Sequence, residues 1–171
     1  MYSMDMHRGR FGVTYSGIFR NCAVIRNISV SCVKDGKVVL VSGPTAWAAL
    51  CDFNGRSKWA GSKYRLQMIP EEPLREGAQM FCDMGFGRGM LFVGKLNRPY
   101  DLTMLGAIGK TQVHVCFKIT EILDGSYVEI RLELDQEPSL EELQLACYRE
   151  WAIDQLDTIK RRAELAPRTR Q

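Results

Sequence analysis

The chain has 171 residues, of which 46% are hydrophobic and 25% are charged, and its formal net charge is +3. This size and composition indicate one ordinary globular domain, and they exclude disordered, collagen-like and low-complexity chains. The charge is too small to predict nucleic-acid binding, and no apolar run approaches the roughly 18 residues that cross a bilayer.

The cysteine pattern predicts a reduced, cytoplasmic protein without a metal site. Six cysteines are scattered along the chain and form no C-x-x-C pair, the spacing that a zinc ribbon requires. Residues 1–26 carry several arginines and lack the continuous apolar stretch of a signal peptide. We therefore expect free and mostly buried thiols.

The first predicted elements are a strand pair, a corner and two short helices. The Asp35-Gly36 pair between two apolar runs predicts a hairpin over residues 33–41. Pro44 fits the first turn of a helix, and the alanine-rich residues that follow it favour helix. A second short helical segment is expected to end at Trp59. Residues 1–36 are assigned to an N-terminal extension outside the main domain.

Six strands and one long helix are predicted to follow. From Lys63 to Leu134 apolar residues recur at every second position, and short turn sequences between the runs are typical of an antiparallel meander. A capping box at Ser139 begins the helix and Pro167 ends it, which leaves residues 167–171 as a basic tail. The predicted strands cover residues 64–69, 78–83, 90–96, 100–107, 111–122 and 127–134.

Several short motifs occur in a fixed order along residues 37–166. Residues 39–53 read V-L-V-S-G-P-T-A-W-A-A-L-C-D-F, a strand, a small-residue–Pro corner and a Trp-x-x-Leu-x-Asp-Phe helix. The later motifs are Trp59, Glu76-Gly77, Gly94-Lys95-Leu96 and Asp124-Gly125-Ser126-Tyr127-Val128. In motifs and element order the chain resembles the START-like (SRPBCC) helix-grip superfamily, which includes polyketide cyclases, aromatases and lipid-transfer domains.

This resemblance implies an α+β fold over residues 37–166. A curved antiparallel sheet of about six to seven strands would wrap around the long C-terminal helix, with two short helices after the first strand. The cavity between sheet and helix is the binding site in this fold. Alternate residues of a strand share one face of the sheet, which predicts that the cavity wall contains Met68, Met80, Cys82, Phe92, Met104 and Phe117. Cys147 and Trp151 would face them from the helix. Ordinary core packing is the alternative for each of them.

No catalytic set can be assigned from the sequence. His114 lies on the polar face of its strand, and no acidic partner is placed beside it. Asp83 reads as a turn-forming residue, and Arg131 as a member of a solvated outer face. The glycine-rich residues 85–89 lack the dinucleotide-binding spacing, so no cofactor is expected; Phe86 within them is a candidate lid.

These observations predict a protein that binds a small hydrophobic molecule, such as a lipid or a polyketide-like compound. One alternative is a polyketide cyclase, aromatase or dehydratase, and another is a chaperone-activator-like protein-interaction module of the same fold. An open apolar cavity would favour the binding protein. Polar groups that point into the cavity would favour the enzyme, and an interior filled by side chains would favour the interaction module. We expect a monomer or homodimer, without nucleic acid and without stable membrane insertion.

Overall fold

The computed structural model describes residues 11–12, 29–57, 65–68, 74–136 and 140–165. These residues form one antiparallel sheet, two short helices and one long helix. In chain order the elements are β1 (Phe11–Gly12), β2 (Ser29–Val39), α1 (Gly43–Cys51), α2 (Phe53–Ser57), β3 (Arg65–Met68), β4 (Gln79–Asp83), β5 (Arg88–Asn97), β6 (Asp101–Ile108), β7 (Thr111–Ile122), β8 (Gly125–Asp135) and α3 (Glu142–Leu165).

The sheet has the strand order β1-β2-β8-β7-β6-β5-β4-β3. From β3 to β8 each strand pairs with the next one along the chain, so the predicted antiparallel meander is confirmed. β2 pairs with β8, and the chain then crosses through α1 and α2 to β3 at the opposite edge. The α+β prediction, with two short helices and a long last helix, is confirmed as well.

The last hairpin shows why the period-two segments become strands. From Thr111 to Ile119 of β7, and from Ser126 to Leu134 of β8, every second residue is buried and the residues between them are more exposed. Val115 lies opposite Leu132 and Phe117 lies opposite Ile130, so the apolar halves of both strands share one face of the sheet. Because a register slip of one residue would expose this whole set, the apolar alternation defines the pairing.

The predicted hairpin at Asp35-Gly36 is wrong. β2 runs through both residues without a break, and Gly36 lies opposite Glu129 of β8. The glycine serves a different purpose: a Cβ atom there would stand 2.0 Å from the Tyr127 hydroxyl oxygen, because the tyrosine side chain covers this position. β2 continues across residue 36 and pairs with β8 on both sides of it. The division of the chain at residue 36 into an N-terminal extension and a main domain stays a prediction.

Polar contacts attach α3 to the end of β2. Lys37 forms an ion pair with Asp157, and Lys160 Nζ donates to the Val38 carbonyl oxygen at 3.1 Å. The Leu40 amide donates to Glu164 Oε1 at 3.0 Å. In the described part of the chain, neither α3 nor the short helices have the apolar length of a membrane-crossing segment.

Some predicted features lie outside the described residues. They are the capping residue Ser139, the motif residue Trp59, the first and last residues of the predicted strand 64–69, and the tail at residues 167–171.

Candidate ligand site between the sheet and the long helix

The inner face of the sheet and one face of α3 form a single buried cluster. Successive side chains of a strand point to opposite faces, so alternate residues of β4 to β8 reach this side. From α3, Trp151 and Ile159 meet them and retain no exposed surface. The apolar strand residues of β4 to β8 that keep at most 3% exposure are Met80, Cys82, Leu91, Val93, Leu102, Met104, Ile108, Val113, Val115, Phe117, Ile119, Val128, Ile130, Leu132 and Leu134.

Most of the predicted ligand-binding residues lie in or beside this cluster. Cys147 lies on α3 and is partly buried. Of Met68 only the backbone is described, and it pairs with Met80 at the end of β3. A ligand-binding role for these residues stays a prediction. The predicted residues inside the cluster are Met80, Cys82, Met104, Phe117 and Trp151.

Phe92 is a correction to the predicted set. Its side chain lies on the outer face of the sheet and is 44% exposed, whereas its neighbours Leu91 and Val93 are buried. Four consecutive apolar residues occupy positions 90–93, so their pattern does not show which pair points inward. The pairing of Leu91 with the buried Met80 of β4 decides it, and it also turns Met90 outward.

Methionines provide much of the flexible inner wall. Met80 and Met104 retain no exposed surface, and Met84 retains 1%. Methionine has three rotatable side-chain bonds and a polarisable sulfur, so it can repack around objects of different shape. Burial raises the pKa of the neighbouring Cys82 thiol to about 12, so this residue packs as a neutral group.

A buried arginine is the main polar feature beneath the apolar wall. Arg56 of α2 is 3% exposed and lies 4.7 Å from the centre of the Phe53 ring. Its Nη1 atom donates to Gln155 Oε1 at 2.7 Å and to Thr158 Oγ1 at 3.3 Å, and its Nη2 atom donates to the Leu50 carbonyl oxygen at 2.9 Å. All three acceptors are neutral groups.

The charge of Arg56 persists despite its burial. Burial lowers its pKa to about 10, while the nearby Cys51, Asp52 and Asp154 act in the opposite direction. The guanidinium is therefore cationic at neutral pH. Sequence reasoning missed this residue because its neighbours Asn54, Gly55 and Ser57 are typical of an exposed turn.

Three buried polar atoms around this position have no hydrogen-bond partner among the residues that the structure describes. They are Arg56 Nε, Asn54 Oδ1 and the indole Nε1 of Trp151. Trp151 and Gln155 are four residues apart on α3 and share one helix face, which places the indole one turn from the Arg56 network. A buried polar atom without a partner costs about 1–3 kcal/mol, so the Arg56 and Trp151 N–H groups are ready to donate to an acceptor that reaches them, and Asn54 Oδ1 to accept from a donor.

The loop between β4 and β5 lies against α3. The Phe86 ring meets the Tyr148 ring edge-on, with centroids 4.9 Å apart and an interplanar angle of 75°. Asp83 holds the loop by accepting from the Gly85 amide at 3.0 Å and pairing with Arg88 Nε at 3.2 Å. Asp83 is therefore the turn-forming residue that the sequence predicts, and Phe86 lies over the helix at one end of the interior.

An open groove lies at the end of the sheet and has a volume of about 400 Å³. Residues 40–42 and 121–125 line it, at the junction of β2 with α1 and at the β7–β8 turn. Several large apolar side chains are exposed around this groove, and we call them the hairpin-end patch. The patch consists of Val38, Leu40, Ile122, Leu123 and Tyr127.

Solved structures match this architecture over most of the chain. Ara h 8.0201 superposes with a TM-score of 0.62 at 10% sequence identity, over 79% of this chain and 98% of that one. The chain has the helix-grip fold. Protein CV1439 from Chromobacterium violaceum matches this helix-grip chain with a TM-score of 0.60 at 13% identity, over 78% of this chain and 96% of that one.

Another helix-grip match is DynU16, a protein of the dynemicin biosynthetic locus. Its TM-score is 0.60 at 17% identity, over 78% of this chain and 47% of DynU16. No family model and no curated protein matches the sequence. These likenesses establish the fold.

Proposed function

We propose that this protein binds a small hydrophobic molecule between the curved sheet and α3. The observation that carries the proposal is the indole N–H of Trp151, which has no partner among the described residues and lies in a largely apolar, methionine-lined interior. An apolar wall with a few polar groups is the usual composition of a small-molecule site. The ligand that suits it is a lipid or polyketide-like molecule with at least one hydrogen-bond acceptor.

Binding in this interior requires side chains to move. Met80, Met104 and Trp151 have no exposed surface, so a ligand gains space by displacing methionine side chains. The Phe86 loop offers the route, because Phe86 is itself 42% exposed and its ring contact with Tyr148 is a single edge-on contact. We propose that this loop opens when the ligand passes.

The first test is to purify the protein without detergent, denature it and analyse the released small molecules by mass spectrometry. A stoichiometric apolar molecule would support the proposal and identify the ligand class. The second test measures thermal shifts with fatty acids, sterols and aromatic polyketides. If no molecule co-purifies and no compound raises the melting temperature, the proposal is wrong.

A pair of variants tests the role of the indole. Trp151→Phe keeps an aromatic ring and removes the N–H donor, so ligand affinity should fall about tenfold, the loss expected for one hydrogen bond. Trp47→Phe makes the same change on α1 and should leave affinity unchanged. Equal affinity of both variants and the wild type would show that the indole N–H does not contact the ligand.

Protein–protein interaction is the second candidate function. It is favoured by the full burial of the inner wall together with the exposure of the hairpin-end patch. Contiguous exposed apolar surface marks interaction sites more often than scattered apolar residues do. A cyclase-type enzyme remains an alternative that no observation on the described residues favours. We propose that the protein is cytoplasmic and that it is a monomer or a homodimer.

A further inference from the structure

A chain of four polar side chains crosses the outer face of the sheet, away from the proposed ligand site. The Cys116 Sγ atom lies 3.4 Å from His114 Nε2. The other ring nitrogen, Nδ1, lies 3.3 Å from Glu133 Oε2. Arg131 Nη2 lies 2.8 Å from Glu133 Oε1 and holds that carboxylate from its far side.

Strand pairing places these groups together. His114 and Cys116 are alternate residues of β7 and therefore share the outer face. On the neighbouring β8, Glu133 lies directly opposite His114, and Arg131 lies directly opposite Cys116. The arrangement is part of the sheet itself, so it is held by the ladder hydrogen bonds on both sides of β7.

The contacts determine which nitrogen of the His114 imidazole carries the hydrogen. A carboxylate only accepts, so His114 Nδ1 carries the hydrogen that it donates to Glu133. The lone pair of Nε2 then points at the Cys116 thiol. A nucleophile beside a base that a third group orients is the arrangement by which proteins activate hydroxyl and thiol groups. His114 is therefore placed to accept the proton of Cys116.

The surroundings leave Cys116 as a neutral thiol until that proton is removed. Burial raises its pKa to about 11, Glu133, Asp101 and Cys32 act in the same direction, and Arg131 acts against them. The other charges that face the cluster are Lys118 of β7 and the Lys34–Glu129 pair, joined at 3.3 Å across β2 and β8. Without a base, the thiolate fraction at neutral pH would be very small.

The geometry distinguishes between the possible uses of such a thiol. Cys116 and Glu133 lie on opposite ring nitrogens of His114, so the three groups do not converge on one point, and none of the described residues form a metal-binding group. Acyl transfer needs donors for an oxyanion. The backbone amides near Cys116 are engaged in ladders with β6 and β8. Thiol–disulfide exchange forms no oxyanion and needs only the thiol, the base and access.

We propose that Cys116 is a thiol-modification site that reacts with small-molecule disulfides, with His114 as general base. The Cys116 sulfur attacks one sulfur of the disulfide while His114 takes the thiol proton. A new S–S bond joins Cys116 to that sulfur, the original S–S bond breaks, and its electron pair leaves with the second sulfur. The imidazolium returns the proton to this leaving thiolate. The products are a mixed disulfide on Cys116 and one free small thiol.

The experiment treats the full chain with bis(2-hydroxyethyl) disulfide, an uncharged reagent, from pH 6 to pH 10. Peptide mass spectrometry follows the rate at each cysteine. We expect the Cys116 rate in the wild type to depend less steeply on pH than direct ionisation of the thiol would make it, because His114 supplies the base. In His114→Gln the Cys116 rate should rise tenfold per pH unit. At pH 7 it should be about 100-fold lower than in the wild type, which is the lower limit of the usual rate gain from a general base. Cys82, which is buried without such a base, serves as the internal control.

Two results would overturn the proposal: a wild-type rate at Cys116 that rises tenfold per pH unit throughout, or equal rates in wild type and His114→Gln at pH 7. If His114→Gln does not fold, Glu133→Gln provides the test, because it keeps the base and removes its carboxylate partner. That variant should react more slowly at Cys116 than the wild type across the pH range, because the carboxylate no longer holds the hydrogen on His114 Nδ1. An unchanged profile would contradict the proposed alignment.

Discussion

The buried Arg56 offers a stringent test of how the helices are attached to each other. The substitution Arg56→Met keeps an unbranched side chain of similar length and removes the guanidinium. Three hydrogen bonds disappear, and Gln155 Oε1 and the Leu50 carbonyl oxygen lose their donor inside the protein. Each buried acceptor left unpaired costs about 1–3 kcal/mol.

A gain opposes this loss, because methionine does not have to bury a charge. Burial lowers the pKa of Arg56 to about 10, which shows that the cation is held at a cost. We expect the losses to exceed the gain, so that Arg56→Met destabilises the fold by about 2–4 kcal/mol. The double variant Arg56→Met/Gln155→Leu removes donor and acceptor together and should recover part of this loss.

The assay is denaturant unfolding at pH 7, followed by tryptophan fluorescence and circular dichroism. Arg162→Met is the matched control, because Arg162 is half exposed and its 3.0 Å pair with Asp52 lies on the surface. Ion pairs on the surface contribute about 0–1 kcal/mol to the free energy of unfolding. If Arg56→Met changes the free energy of unfolding by no more than Arg162→Met does, the assigned role of the buried network is wrong.

Three further predictions concern packing, backbone approach and pH. Trp47→Ala and Trp151→Ala should each lower the free energy of unfolding by about 3–5 kcal/mol, and a loss under about 1 kcal/mol at either would contradict its burial. Gly106→Ala should destabilise by about 1–3 kcal/mol, because its Cβ would stand 2.0 Å from a backbone oxygen of β5. Gly36→Ala should lower the free energy of unfolding clearly less than Gly106→Ala does, since the new Cβ atom meets only the movable Tyr127 side chain. Equal losses of stability in the two glycine variants would refute this distinction. Hydrogen bonds from Lys160 and the Leu40 amide lower the pKa of Glu164, so its contribution to stability is present above the unfolded-state pKa and disappears as pH falls through the folded one. Glu164→Gln should therefore be less stable than the wild type at pH 7 but equal to it in acid, and a difference that persists in acid would contradict this.

The order and type of most described elements could be predicted from the sequence. The periodicity of β7 and β8 is unambiguous because one side of each strand is apolar and the other is mostly polar or charged. The long helix could be predicted from its helix formers and its position after the last strand. Local preference and the apolar pattern agree in these segments, so neighbouring elements were not needed to decide them.

The face of Phe92 and the path of Asp35-Gly36 depended on tertiary contacts. Both sides of the 90–93 segment are apolar, so only its register with β4 decides which residues are buried. Asp-Gly favours a turn locally, yet pairing with β8 along all of β2 and the covering Tyr127 ring outweigh that preference. Long-range pairing brings many hydrogen bonds at once, whereas the turn preference acts on two residues.

The polar groups with the most specific chemistry were also decided by the tertiary structure. Arg56 is buried because α3 closes over α2, and nothing in its local sequence indicates this. The sequence places His114 on the polar face of its strand, but its partner Glu133 lies 19 residues away and meets it only through the β7–β8 register. Local patterns determine which segments become strands and helices and which face is apolar, because those properties depend on near neighbours. Side-chain partners belong to different segments, so only the assembled sheet and helices decide them.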